Sequence, residues 1–257
     1  LVGSEMCIRD SYNSNMQQFV TSIVFCLQHA KYLFILFLPA IILDFSQLYI
    51  LMNFISSSIN LEMSEIAMFE ALKSIPPAVN QIQLLSNIIF VILTGALSVA
   101  FRSIAGGELK TPHQALFSGA GKFISLLGAW LIFYLMLMGS LFLSLAILGS
   151  LGIIIWVFIC SYAIARFGMI PLFIMFKKAN AIDAFKLSFK ATQDHTSTLF
   201  ILVAAFFLMQ IVLTSIFLLI IGSNSFFLIL FLFVKYLTLA SLSYVFFSLY
   251  EFKYINI

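Results

Sequence analysis

The stretch FISLLGAWLIFYLMLMGSLFLSLAILGSLGIIIWVFICSYAIARFGMIPLFIMF (residues 123–176) contains a single charged residue, Arg166. The turn GSLG divides it into two apolar runs, at about 123–148 and 153–176. A helix needs about 20 apolar residues to cross the ~30 Å hydrocarbon core of a bilayer, and each run is that long. Both runs are continuous and do not alternate, which favours helices over barrel strands. The stretch therefore predicts two membrane-spanning helices joined by a tight turn.

The rest of the chain has the same character. Hydrophobic residues make up 63% of the 257 residues, charged residues make up 9%, and the mean hydropathy is +1.13. Soluble domains carry about a quarter charged residues, so this composition excludes them. We predict an all-α, polytopic transmembrane helical bundle that forms a single domain over residues 16–257, with six spans in three hairpins. The four further spans are predicted at about 32–55, 84–105, 199–221 and 226–250.

The positions of the lysines and arginines predict the orientation, because basic residues in short loops are retained in the cytoplasm. Only Lys73 falls in the loops on the opposite side, at the end of a stretch, residues 60–73, that predicts an amphipathic helix. Both termini are therefore expected in the cytoplasm. The basic residues on the cytoplasmic side are Lys31, Arg102, Lys110, Lys122, Lys177, Lys178, Lys186, Lys190 and Lys253.

Three cytoplasmic segments predict short helices at the membrane surface, each leading into a hairpin. Residues 180–192 place apolar side chains on one face, with Asn180 as the N-cap. Thr111 and Pro112 begin a shorter equivalent. Residues 19–35 align without gaps over 185–201, which indicates either three tandem units or a chance match of Phe-rich segments. The lysines expected to contact anionic lipid head groups are Lys177, Lys178, Lys186 and Lys190.

The stretch IPLFIMFKKANAIDAFKLSFKAT (170–192) resembles the YciC-like family of uncharacterised bacterial inner-membrane proteins. More distantly, it is similar to the membrane domain of some glycerophosphodiester phosphodiesterases. In both groups a span ending in a proline is followed by a polar break and a helix with spaced small, basic and hydroxyl residues. The resemblance implies a multi-pass protein of the bacterial inner membrane and carries no activity with it. The matching positions are Pro171, Ala184, Ser188, Lys190 and Thr192, with Arg166 upstream.

Charged residues inside the spans are the main candidates for a functional site, because placing one at mid-bilayer costs roughly 3 kcal/mol. Counted at ~1.5 Å per residue, Asp44 lies about 18 Å deep, Arg166 about 16 Å and Lys235 about 22 Å. A structural interpretation pairs Asp44 with Arg166 to fix the packing of the first and fourth spans. A functional interpretation makes all three a polar cluster or ion path.

Gly168 and Pro171 predict a kink near the end of the fourth span, because proline removes a backbone hydrogen bond. The kink is either static or a hinge. The sequence contains no HExxH, GxSxG or GxGxxG motif, and we expect no catalytic residues, metal or cofactor.

Three functions are consistent with these features. The first is a non-enzymatic protein with a scaffolding, assembly or lipid-organising role, whose partner is the bilayer rather than nucleic acid. A homo-oligomer or another envelope protein is a further possible partner. The second is a small-solute transporter or channel that uses Asp44, Arg166 and Lys235. The third is a membrane-embedded enzyme or its lipid-presenting domain.

Residues 1–11, LVGSEMCIRDS, differ in character from everything that follows. They can be back-translated into the adapter used in transposase-based sequencing libraries. We therefore expect this stretch to be adapter-derived rather than native, with Met16 as the natural start.

Overall fold

The computed structural model describes residues 15–58, 75–107, 110–220 and 225–254. The adapter-like residues 1–11 and the amphipathic helix predicted near 60–73 lie outside these ranges. Within them the chain is all-helical and contains no strand, as predicted. The helices are α1 (Asn15–Gln28), α2 (Ala30–Ser58), α3 (Pro77–Ala105), α4 (Pro112–Ala120), α5 (Phe123–Leu148), α6 (Gly152–Phe167), α7 (Ile170–Phe176), α8 (Ala181–Ala191), α9 (Thr196–Ile220) and α10 (Ser225–Tyr254).

Five helical segments among the described residues are long and apolar enough to cross a bilayer, which suggests a membrane-embedded protein. The longest contains α5, α6 and α7, so five to six apolar helices could span a membrane. The segments are Ala30–Phe54, Pro77–Ala105, Phe123–Phe176, Gln193–Phe217 and Phe226–Tyr254.

Local sequence signals set the helix ends. The Thr111 hydroxyl accepts a hydrogen bond from the Gln114 N–H, and the Gln114 side chain accepts one from the Thr111 N–H. This capping box and Pro112 begin α4 as predicted. The Asn180 side chain accepts from the Asp183 N–H at 2.8 Å and caps α8, also as predicted.

The long helices contact one another in a closed ring. Starting from α2, each helix packs against the next in the order α2, α3, α5, α6, α9, α10, and α10 packs back against α2. Helix α3 is the most enclosed of the five candidate spans. In its most apolar stretch 56% of the residues are buried, compared with 11% for Phe123–Phe176. The α5–α6 pair therefore lies at the edge of the bundle.

The three short helices α1, α4 and α8 pack against long helices in a related way. Helix α4 packs on α3, α8 packs on α6 and α7, and α1 packs on α10. Each contributes, within the helix or at its C-cap, two buried small residues spaced four apart, and the next long helix begins four residues after the second. The buried pairs are Ser22 and Cys26, Ala115 and Gly119, and Ser188 and Thr192.

Two glycines, Gly119 and Gly168, let neighbouring helices pack closely. A Cβ added at Gly119 would lie 2.9 Å from the backbone nitrogen of Ala96 in α3. A Cβ added at Gly168 would overlap the ring of Phe246 in α10. Larger residues at these glycines would push the helices apart, so the close packing depends on them.

Candidate functional site

Asp44 lies at the centre of the most polar cluster inside the apolar helices. Its Oδ2 accepts hydrogen bonds from the Lys235 ammonium and the Tyr236 hydroxyl, both at 2.9 Å. Its Oδ1 accepts one from the Ser86 hydroxyl at 2.6 Å. The cluster joins α2, α3 and α10, whose residues lie far apart in the sequence.

The hydrogen bonds explain how a carboxylate is tolerated at this position. The side chain of Asp44 is 11% exposed, so its removal from water costs several kcal/mol. One cationic donor and two hydroxyl donors offset that cost, because hydrogen bonds to an ionised acceptor are stronger than neutral ones. The Lys235 side chain is 45% exposed, so the ion pair lies near the surface of the bundle.

Amides extend this cluster along the bundle. The Gln47 side chain donates to Gln83 at 2.6 Å, and Gln83 donates to Asn87 at 3.1 Å. The Gln210 side chain donates to the backbone carbonyl of Lys235 at 3.1 Å, which adds α9 to the site. A line of polar groups therefore runs beside the Asp44–Lys235 ion pair.

Arg166 lies in a different place, and the predicted pairing with Asp44 is wrong. Its Nη1 donates to the Thr196 hydroxyl at 2.6 Å, and its guanidinium lies 3.7 Å from the centroid of the Phe189 ring. Thr196 and Gln210 mark the two sites on α9, about 21 Å apart at ~1.5 Å per residue. The structure brings Asp44 and Lys235 together and leaves Arg166 out.

The helix that carries Arg166 is interrupted between this residue and the end of the predicted span. Counting residues from Phe176 assumes one straight helix, whereas α6 ends at Phe167 and α7 begins at Ile170. Helix α7 packs against the short helix α8. Arg166 contacts α8 through Ser188 and Phe189, and its depth in a bilayer stays a prediction.

The predicted kink at Gly168 and Pro171 is this break. The carbonyl oxygen of Arg166 lies in the last turn of α6, where helix carbonyls lack their usual intrahelical partners. The Ser188 hydroxyl donates to that oxygen at 2.9 Å and the Thr192 hydroxyl at 3.1 Å. Both side chains are fully buried, so α8 and its C-cap residue supply the hydrogen bonds that this carbonyl lacks within its own helix.

The four lysines expected at the membrane surface are all exposed. The Lys177 ammonium lies 3.8 Å from the centroid of the Tyr254 ring, a cation–π contact. Lys178 has a φ of 52°, a left-handed backbone conformation at the turn before α8. Lys186 and Lys190 project from α8, whose opposite face is buried.

Sequence reasoning missed the hydroxyl partners Ser86, Tyr236 and Thr196. Serine in an apolar helix is a weak signal, because it commonly donates to a carbonyl of its own helix, as Ser98 does to Thr94. Only the position of Tyr236 beside Lys235 in the sequence could have indicated a shared partner.

The described residues contain no group of three or more His, Cys, Asp and Glu side chains that could hold a metal ion. An open cavity of about 490 Å³ lies between α6 and the start of α9. It is lined by Tyr162, Gln193, Asp194, Thr196, Ser197 and Phe200.

No protein-family model matches the chain, and comparisons with curated proteins and with solved structures find no match either. The resemblance to the YciC-like family stays a prediction.

Proposed function

We propose that this chain is a multi-pass protein of the bacterial inner membrane with a non-enzymatic, lipid-organising or scaffolding role. In this proposal six spans form three hairpins, and both termini lie in the cytoplasm with the short helices at the inner surface. The related packing of α1, α4 and α8 on long helices supports the division into three units.

The observation that carries the proposal is the two-sided character of α8. Its inner face buries Ala184, Ser188 and Ala191 against the bundle. Its outer face exposes Ile182 and Phe189 together with lysines at 186 and 190. Exposed apolar side chains beside lysines are typical of a helix that lies in the bilayer interface and attracts anionic lipids.

Lipid selectivity tests this proposal. The chain would be reconstituted in vesicles of phosphatidylglycerol and phosphatidylcholine, and spin-labelled lipids would measure which lipid is immobilised at its surface. Wild type should prefer phosphatidylglycerol, and the double variant Lys186→Gln/Lys190→Gln should lose part of that preference, at about 1 kcal/mol per lysine. The matched variant Lys186→Arg/Lys190→Arg keeps the charge and should behave as wild type. Equal immobilisation of the two lipids by wild type would contradict the proposal.

A transporter or channel is the second candidate, and the Asp44–Lys235 cluster favours it. The polar line of Gln47, Gln83 and Asn87 beside a partly exposed ion pair could form part of a solute path. Cysteines introduced at 47 and 83 would be treated with a membrane-impermeant maleimide in intact vesicles. Labelling at both positions favours an aqueous path, whereas protection at both favours a dry, structural cluster.

A further inference from the structure

Arg166 is a buried cation without a carboxylate partner among the described residues. The residue is 4% exposed, and its guanidinium has one hydroxyl acceptor and one aromatic ring as neighbours. Its Nε is the one buried side-chain nitrogen or oxygen in the described part of the chain that lacks a hydrogen-bond partner. A buried charge costs several kcal/mol unless it is paired, so this guanidinium is suited to binding an anion.

The space for an anion lies beside the acceptor of Arg166. Thr196, which receives the guanidinium hydrogen bond, is also a wall of the 490 Å³ cavity. Tyr162, Gln193 and Ser197 line the same cavity and can each donate a hydrogen bond. Thr196 is the first residue of α9, where the positive end of the helix dipole favours a negative ligand.

One carboxylate also lines the cavity, but its charge is compensated. Asp194 accepts a hydrogen bond from the Lys253 ammonium at 3.1 Å. That ammonium also donates to the carbonyl of Ala191 at the end of α8, at 2.8 Å. Counting Arg166, Lys253 and Asp194, the surroundings of the cavity keep a net positive charge.

Apolar side chains continue from the cavity along the same two helices. Phe200 lines the cavity and stacks against Phe158 of α6, with ring centroids 6.5 Å apart. The Phe158 side chain is 58% exposed on the surface of the bundle. A cavity that has hydroxyl and amide groups in its wall, a buried cation next to it and exposed aromatic rings at its edge matches a phosphate group joined to an acyl chain.

We propose that the groove between α6 and α9 is a specific binding site for an anionic phospholipid. The phosphate occupies the cavity near Arg166 and the start of α9, and an acyl chain follows Phe200 and Phe158. This inference rests on the proposed lipid-organising function and gives it a defined site, separate from the lysines of α8.

Native mass spectrometry of the full chain in detergent tests the site by counting retained phosphatidylglycerol during a titration. Arg166→Gln should weaken binding about ten- to a hundredfold, because a charge-assisted hydrogen bond contributes about 1.5–3 kcal/mol. Ser197→Phe fills the cavity without changing Arg166, and it should weaken binding similarly. This second variant tests the site even where Arg166→Gln disturbs folding. Arg102→Gln is the matched control, since Arg102 also lies over a phenylalanine ring, at 4.8 Å from Phe176, and should bind as wild type.

Two further ligands identify the chemistry that is recognised. Diacylglycerol has the same acyl chains without a phosphate, and it should not be retained. Inorganic phosphate at millimolar concentration should not displace the lipid, and displacement would assign the site to free phosphate instead. Equal lipid retention by wild type, Arg166→Gln and Ser197→Phe would overturn the site. The lysine variants of α8 should retain this one lipid, so failure of the site and failure of general lipid selectivity are distinguishable.

Discussion

Replacing Asp44 with asparagine preserves the shape of the side chain but removes the charge that faces Lys235. Breaking a fully buried ion pair by removing one partner costs about 3–5 kcal/mol. The cost is lower here because the long Lys235 side chain, 45% exposed at the surface of the bundle, can extend toward the membrane interface. The amide oxygen still accepts from the hydroxyls of Ser86 or Tyr236. We therefore expect Asp44→Asn to lower the free energy of unfolding by about 2–3 kcal/mol.

Unfolding of the purified chain by SDS in dodecyl maltoside micelles, followed by circular dichroism, measures this change. A double-mutant cycle with Lys235→Met isolates the pair, and the two changes together should cost about 1–3 kcal/mol less than their sum. The matched cycle with Arg166→Gln should be additive within about 0.5 kcal/mol, because the two sites lie about 21 Å apart. Coupling of Asp44 to Arg166, with none to Lys235, would refute the arrangement described above.

Three further outcomes are expected. The double variant Ser188→Ala/Thr192→Val leaves the carbonyl at the helix break without its donors, and SDS unfolding should show a loss of about 1–3 kcal/mol. Gly168→Ala should lower the melting temperature because its Cβ overlaps the ring of Phe246, and in a Phe246→Ala background the same change should cost less if that overlap is the cause. Burial raises the pKa of the Cys26 thiol to about 11, so thiolate is scarce at pH 8. With the other cysteines replaced by serine, maleimide labelling should be slow at pH 8 and fast after SDS denaturation, and fast labelling of the native chain would contradict the burial.

The sequence predicted the helices and several of their ends because these depend on neighbouring residues. An apolar run in lipid must satisfy its own backbone hydrogen bonds, so the segment 123–148 can only be a helix. The caps at Thr111 and Asn180 involve partners three residues away, and both were recognisable in the sequence. The break at Gly168 and Pro171 was also visible, because proline cannot continue the hydrogen-bond pattern.

The partners of the buried charges could not be predicted in the same way. Asp44 and Lys235 are 191 positions apart, and their contact depends on how α2 and α10 pack. The partners of Arg166, Thr196 and Phe189, likewise depend on how α8 and α9 pack against α6. Side chains from two other helices contact Asp44, and side chains from two other helices contact Arg166, so the choice of partner is a property of the packed bundle.

Composition and local hydrogen bonding therefore determined that this protein is a set of apolar helices with capped ends and one broken helix. The tertiary structure decided that Asp44 binds Lys235 and that Arg166 lies apart, beside a cavity at the start of α9. The physical reason is the sequence separation between the residues that each kind of interaction joins. Backbone hydrogen bonds act between residues a few positions apart, whereas a buried charge is stabilised by whichever side chains the packing of distant helices brings within about 3 Å.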